Sequence, residues 1–242
     1  MPRFLLPPDA WSAPDPALTG DEARHFAQVL RGRPGDAITV FDGCGRRAVA
    51  TVGSISRGRV GLAIGPASTP QPPQPRITLV QAIPKGKTMD AIVQKAVELG
   101  VAAIHPIITR QTIAQPGGDK AGKWRRTALE ACKQCGQDAL PEIAEPTTFS
   151  AWLAADAHGG AAGPLRIIAS LAPGARPLRE ILGDHPATTA ATLLVGPEGD
   201  FTADETTAAL DAGFHPATLG PIVLRVETAA LFCLAALRYQ FG

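Results

Sequence analysis

The 242-residue chain is long enough for one large domain or two modest ones, and 45% hydrophobic against 19% charged residues excludes a disordered chain. A net charge of +1 hides an asymmetry, +2 over residues 1–75, +6 over 76–137 and −7 over 138–242, so the middle segment offers a localised surface to a polyanion. No apolar stretch approaches the ~18–20 residues of a membrane span, Met1-Pro2-Arg3-Phe4-Leu5-Leu6-Pro7-Pro8 does not read as a signal peptide, and Cys44, Cys132, Cys135 and Cys233 lack framework spacing, which predicts a reduced, cytoplasmic protein.

In chain order, a short helix is expected from Asp21 to Leu30. Strands are expected at Ala37–Phe41, Arg47–Val52 and Arg59–Ile64, with hairpin turn chemistry in Asp42-Gly43-Cys44-Gly45. Five prolines between Pro66 and Pro75 then read as a semi-rigid linker. The expected division is a small β-rich, barrel-like domain over residues 1–70 and a second domain over 71–242. Past the linker, strand and helix alternate. Ile77–Ala82 is a strand; Met89, Ile92, Val93, Ala96 and Val97 recur at helical spacing up to Gly100; Val101–Ile107 is a strand. A helix follows with Trp124, Ala128, Ala131, Cys132 and Cys135 on one face, then strands at Leu165–Leu171 and Ala191–Val195. This alternation predicts an α/β fold with a parallel sheet covered on both faces.

Two places carry chemistry. Leu193-Leu194-Val195 runs into Gly196-Pro197-Glu198-Gly199, after which Thr202 and Glu205 form a capping box that opens a helix closing near Gly213. Ligands of open α/β sheets sit at the carboxyl ends of strands, where glycine lets the backbone approach closely. A plain strand–helix connection has the same sequence signature. The second place is Leu219-Gly220-Pro221 leading through Leu224-Arg225-Val226-Glu227-Thr228-Ala229 into a final helix that runs to about Tyr239. That helix is apolar almost all round and is expected to be buried on every side. Its first turn nevertheless carries Arg225, Glu227 and Thr228, polar groups that need partners there. An Arg225–Glu227 pairing that caps the helix is the structural alternative.

Together, Gly196-Pro197-Glu198-Gly199 and Leu224-Arg225-Val226-Glu227-Thr228-Ala229 resemble the two signature loops of the bacterial small-subunit ribosomal RNA uridine-N3 methyltransferase family, of the SPOUT class. Further matches are His25 with Val29-Leu30-Arg31 and Gly35-Asp36, Lys85 and Lys87, Gln94-Lys95-Ala96-Val97-Glu98-Leu99-Gly100, Ile104-His105-Pro106 leading to Arg110, and Trp124 leading to Glu130-Ala131 and Gln134. The resemblance implies a PUA-like N-terminal barrel, a knotted parallel-sheet domain with a trefoil knot, a homodimer, and methylation of N3 of a uridine in 16S ribosomal RNA, as naked RNA or in the small subunit. It implies S-adenosyl-L-methionine as cofactor, held by Leu171, Val195, Gly196, Pro197, Glu198, Gly199, Leu219, Gly220, Leu224, Arg225, Glu227, Thr228 and Ala229. Arg225 is expected to face the cofactor–substrate junction, with Glu198 and Glu227 as candidate proton acceptors. RNA contacts are expected from Arg3, Arg24, His25, Arg31 and Arg33 before the linker, and from Lys85, Lys87, Lys95 and Arg110 after it. The chain departs from the family pattern at Asp200, where a second glycine is usual, and at Gln137, where an arginine often stands.

No metal and no membrane partner is expected. Cys132-x-x-Cys135 is a lone pair, short of the four ligands of a zinc site, and reads as buried small hydrophobes. His105 reads as structural; His158, His185 and His215 fall in loop-like stretches and read as solvated. Two other functions stay open on the sequence: a methyltransferase of this class acting on another RNA target, such as a ribose 2′-oxygen or tRNA, and an RNA-binding protein that has lost catalysis.

Overall fold

The computed structural model describes residues 1–113, 118–155 and 163–242. The chain divides into two compact units, Met1–Pro72 with Leu129–Leu140, and Pro73–Ala128 with Pro141–Gly242.

The first unit contains β1 (Arg3–Leu5), α1 (Pro8–Trp11), β2 (Ala17–Thr19), α2 (Gly20–Arg24), β3 (Ala37–Phe41), β4 (Arg47–Ser56) and β5 (Arg59–Ile64). Its five-stranded sheet has the order β1-β3-β4-β5-β2. Strict alternation in β4 puts Ala48, Ala50 and Val52 inward and leaves Arg47, Val49 and Thr51 outward, the pattern of a sheet with one wet face. The inward side chains join Phe4, Leu6, Leu18, Phe26, Ile38, Val40 and Val60 in one core. The sequence pattern omits β1, α1 and β2. These elements are three or four residues long, too short for any periodicity to register. The expected Asp21–Leu30 helix is α2 followed without a break by a π-helical turn, His25–Val29.

A boundary drawn on the prolines alone leaves out the Leu129–Leu140 segment of the first unit. There, Gly43 and Cys44 bridge Ala139, Leu140 N–H donates to Gly43 O at 2.9 Å, and Asp138 takes the Arg3 guanidinium at 2.6 Å. Cys132 is buried, and burial followed by the neighbouring Cys135 pushes its thiol up to about 12, so it is protonated and inert. Cys135, expected to be buried beside it, is exposed.

The second unit holds β6 (Arg76–Ala82), α3 (Thr88–Glu98), β7 (Ala103–Ile108), α4 (Lys120–Cys135, whose last turns group with the first unit), β8 (Glu142–Ile143) and β9 (Thr147–Thr148). It continues with α5 (Phe149–Ala155), β10 (Leu165–Ala169), β11 (Arg176–Pro177), α6 (Leu178–Asp184), β12 (Ala190–Val195), α7 (Ala203–Asp211), β13 (His215–Thr218) and α8 (Val226–Phe241). The sheet runs β11-β13-β10-β12-β6-β7-β8, with β9 on β7, and every pairing is parallel. Its central strands are continuous apolar runs such as Leu193-Leu194-Val195, as burial on both faces requires. Parallel pairing also brings all the carboxyl ends of the strands to one edge.

Two anchors fix the helices that leave that edge, one at the start of α7 and one at the opposite end of the sheet. Thr202 and Glu205 form the expected capping box at the start of α7. At the far end of α8, Arg238 donates to Leu99 O at 2.9 Å, to Pro75 O at 3.0 Å and to Gly100 O, which satisfies the orphan carbonyls at the end of α3. Gly100 takes φ 75°, and a Cβ there would lie 2.9 Å from Arg238 Nη2, so the residue is required on both counts.

The last helix departs from expectation. Val226, Ala230, Cys233, Leu234 and Leu237 form a buried stripe, but Thr228, Ala235 and Tyr239 are exposed and Phe232 keeps 47% of its surface in water. One chain supplies enough apolar surface to cover only one face of so apolar a helix.

Candidate functional site

Three loops leave the carboxyl edge beside one another, after β10, β12 and β13, and enclose a cavity of about 430 Å³. That is within the roughly 300–1,000 Å³ of clefts that take small molecules. Its walls include Ala169, Ser170 and Leu171 from the first loop, and Val195, Gly196, Pro197, Glu198 and Asp200 from the second. Leu219, Gly220, Ile222, Val223, Leu224 and Arg225 come from the third, Val226, Glu227 and Ala229 from the first turn of α8, and Thr88 from the start of α3.

Leu171, Val195, Gly196, Pro197, Glu198, Leu219, Gly220, Leu224, Arg225, Glu227 and Ala229 were expected here from the sequence, and the fold brings them together. Gly199 and Thr228 fall outside the lining. Gly199 instead faces Gln111, whose Cβ would lie 3.1 Å from a Cβ built on the glycine. Gly196 has the tighter cradle, since a Cβ there would sit 3.0 Å from Asp200 Oδ1 and 3.2 Å from the Phe201 ring.

Sequence reasoning missed Thr88, Ala169, Ser170, Asp200, Ile222, Val223 and Val226. Ser170 directly follows β10 and Thr88 opens α3 at the end of the connection after β6, a positional signal that could have found them. Asp200 is an informative departure. It takes φ 60°, the left-handed region that favours glycine, and its Oδ1 accepts the Phe201 N–H at 2.8 Å. Aspartate is among the few residues that tolerate this region, because its short side chain bonds locally.

The candidate acid–base groups separate clearly. Glu198 is exposed, but its Oε1 accepts the Lys85 backbone N–H at 2.9 Å. Arg225 is the N-cap of α8 with φ −65° and ψ 155°, makes no side-chain cap, and is exposed. Among the described residues it forms no ion pair with Glu227, so the capping alternative is not what the fold builds. Glu227 is half-buried in the cavity wall.

The basic residues expected at RNA sort by what they touch. Arg24, Arg31 and Arg33 are exposed on the first unit, with Arg24 paired to Asp21. Arg31 takes φ 53°, and the Gly32 that follows is packed so closely that a Cβ would overlap the Phe26 ring. His25 is half-buried, edge-on to Phe4 at 6.0 Å. Arg3 corrects the expectation: it bonds Asp138 and Gln137 O at 3.1 Å and lies over the Phe41 ring at 5.1 Å, so it holds the first unit together rather than facing RNA. On the second unit Lys85, Lys87 and Arg110 are exposed, while Lys95 is paired with Glu98 at 2.9 Å.

Of the histidines, His105 accepts the Trp152 indole N–H at 2.9 Å in a structural role. His185 lies just past α6, as the loop reading expected, but both it and His215 are half-buried rather than solvated. Their rings lie 5.2 Å apart, His215 is in β13, and burial, then the charges of His185 and Arg176, lower its pKa. His158 lies outside the described residues. No three His, Cys, Asp or Glu side chains gather as metal ligands, and no helix is long and apolar enough to cross a membrane, among the described residues.

A parallel sheet with its glycine-loop cavity, preceded by a small β unit, defines the class. Residues 70–238 match the RNA methyltransferase domain family, and residues 18–64 match the RNA methyltransferase PUA domain family. The chain is 30% identical over 235 residues to ribosomal RNA small subunit methyltransferase E of Synechocystis sp., covering 96% of this chain and 76% of that protein. It is 31% identical over 234 residues to the Mycobacterium tuberculosis protein of the same name, covering 90% and 84%. The solved Neisseria gonorrhoeae ribosomal RNA small subunit methyltransferase E, bound to S-adenosyl methionine, superposes with a TM-score of 0.87 at 34% identity over 99% of this chain and 97% of that one. A Legionella pneumophila methyltransferase in complex with SAM gives 0.84 at 30% identity, over 98% and 96%. This protein belongs to the ribosomal RNA small subunit methyltransferase E family.

Proposed function

We propose that this protein uses S-adenosylmethionine to methylate N3 of a uridine in the 16S ribosomal RNA of the small subunit, in the cytoplasm. The observation that carries the reading is the cavity walled jointly by Gly196-Pro197-Glu198, Leu219-Gly220, Arg225 and Glu227. The residues fit the cofactor. Leu171, Val195, Leu219 and Leu224 give apolar walls, Gly196 brings the backbone close, and the unbonded first-turn amides of α8 suit a carboxylate. When bound, S-adenosylmethionine supplies an electrophilic methyl group.

The rest falls to the chain itself. N3 of uracil is a nucleophile only after it loses its proton. Glu227, half-buried in the cavity wall, accepts that proton at its carboxylate. Arg225 offsets the charge that develops on the imide, the kind of preorganised stabilisation worth roughly 10²–10³ in kcat. Arg24, His25, Arg31 and Arg33 grip phosphates through the first unit, and Lys85, Lys87 and Arg110 do so beside the cavity. The working form is a homodimer in which a second copy covers Phe232, Ile222 and Val223. The second unit ends in a trefoil knot, a reading supported by β13 lying between the earlier strands β10 and β11.

The test is mass spectrometry of small-subunit RNA from cells with and without the gene. Loss of one N3-methyluridine, restored by the wild-type gene, is the expected result. Loss of a ribose methylation instead would move the target to a 2′-oxygen.

A further inference from the structure

The loops that carry Lys85 and Arg110 are both held through their backbones by the segment after β12, whose Gly196, Pro197 and Glu198 form part of the cavity wall. Glu198 Oε1 accepts the Lys85 N–H at 2.9 Å. Glu205 Oε1 accepts the Arg110 N–H at 2.9 Å, while its Oε2 takes the Thr202 N–H at 2.9 Å. Between them, the bare Gly199 leaves room for the Gln111 side chain. Ten residues, 196–205, thus fix the connections that follow β6 and β7. Glu198 also lines the cavity, and its Oε2 makes no hydrogen bond among the described residues, so it is free to answer a polar group inside. The Lys85 and Arg110 side chains are exposed and make no ion pair among the described residues, so they are available to phosphates.

We infer that Glu198 is a positioning residue that couples cofactor occupancy to RNA affinity. A filled cavity fixes the Glu198 carboxylate, and the carboxylate fixes the Lys85 loop in its RNA-binding arrangement. Coupling between two sites is reciprocal, so bound RNA raises cofactor affinity by the same factor, about 5–20-fold at the lower end of common couplings. The inference rests on the reading of Lys85 as an RNA contact, and the experiment separates the two.

Using the full chain, the dissociation constant for 16S ribosomal RNA is measured with and without saturating S-adenosylhomocysteine, a cofactor that cannot react. Wild type is expected to bind RNA about 5–20-fold tighter with the cofactor present. Glu198→Gln keeps an oxygen for the Lys85 N–H and should keep most of that ratio, with a pH profile of kcat shaped like that of wild type. Glu198→Ala should bring the ratio close to one. As a check from the other side, Lys85→Ala deletes the ammonium that is positioned for RNA and Lys85→Pro deletes the N–H as well, so both should bring the ratio close to one. A wild-type ratio of one, an intact ratio in a folded Glu198→Ala variant, or an altered pH profile in Glu198→Gln would each overturn the inference. RNA affinity that is unchanged in Lys85→Ala without cofactor would instead remove Lys85 from the RNA surface.

Discussion

The two loops that wall the cavity are built in opposite ways. The 196–201 loop is tied on every side: Glu198 to the Lys85 N–H, Asp200 N–H to Pro197 O at 2.9 Å, Asp200 Oδ1 to the Phe201 N–H, and Gly196 against the Phe201 ring. The 219–225 loop has almost no such support. Two long bonds of 3.4 Å between Thr218 Oγ1 and Gly220 are its internal ties, Ile222 and Val223 are 70% and 75% exposed, and the helix it opens has no side-chain cap. A segment with few buried contacts and exposed backbone sits at the low end of local stability. The difference teaches a division of labour, in which one loop is a preformed cradle and the other is held by little besides the strand and helix it joins.

The largest expected effect comes from the loosely held side. The Arg225 side chain is exposed and makes no hydrogen bond or ion pair among the described residues, so Arg225→Ala should leave the melting temperature within about 1 °C, as surface changes away from packing features do. Methyl transfer should fall roughly 10²–10³-fold in kcat. Steady-state kinetics together with cofactor titration check this. A variant that lost cofactor affinity in proportion to rate would make Arg225 part of the cradle and blur the contrast.

The tied loop should fail differently. Gly196→Val puts a branched side chain where even a Cβ meets Asp200 and Phe201. The loop has nowhere to move, so calorimetry should show cofactor affinity down by at least about tenfold, or 1.4 kcal/mol. A Cβ at Gly220 meets no atom within 4 Å, and the φ of 127° is what opposes a side chain there. A smaller loss at Gly220 than at Gly196 is therefore expected. Equal losses would mean that both loops are cradles.

If a second copy covers the loose loop, charging its apolar face should release the partner. Ile222→Asp with Phe232→Glu should raise the dimer dissociation constant by at least about tenfold, since buried apolar anchors carry most interface energy. Light scattering across a dilution series reads it directly. A wild-type chain that is monomeric at micromolar concentration would refute the dimer itself and leave Ile222 and Val223 for RNA to cover.

Much of this site was legible in the chain because its signals are local. Thr202 and Glu205 announce a helix start, Gly196 marks a close backbone approach and Gly220 a positive φ, and Leu193–Val195 reads as a buried parallel strand. The opposite holds for features set by distant partners. Nothing near Arg3 tells that Asp138, far along the chain, will take its charge, so it read as an RNA contact. Gly199 and Gly196 look equivalent in sequence, yet only Gly196 lines the cavity, because Gln111 comes from another connection to occupy the space beside Gly199. The apolar pattern of α8 predicted burial all round, whereas Thr228, Phe232, Ala235 and Tyr239 are exposed, because helical periodicity does not tell how many faces the rest of the chain packs against.

The smallest effect concerns Asp200, the departure from the family pattern, and it asks how tightly the cradle is set. The position demands φ 60°. An ordinary residue there costs roughly 1–2 kcal/mol, and aspartate escapes part of that through its bond to the Phe201 N–H. Asp200→Ala removes the bond and keeps the Cβ, so stability should fall by about 1 kcal/mol. That corresponds to a melting temperature lower by roughly 2–4 °C for a chain of this size. Asp200→Gly removes the bond as well but lifts the steric cost, so its melting temperature should lie above that of the alanine variant. Glycine also leaves Oδ1 out of the pocket beside Gly196, where it stands 3.0 Å from the position a Cβ would take. Gly196→Ala should then be milder in the Asp200→Gly background than alone, a coupling that a double-mutant cycle reads. Strictly additive losses would show that Phe201, not Asp200, is what presses on Gly196.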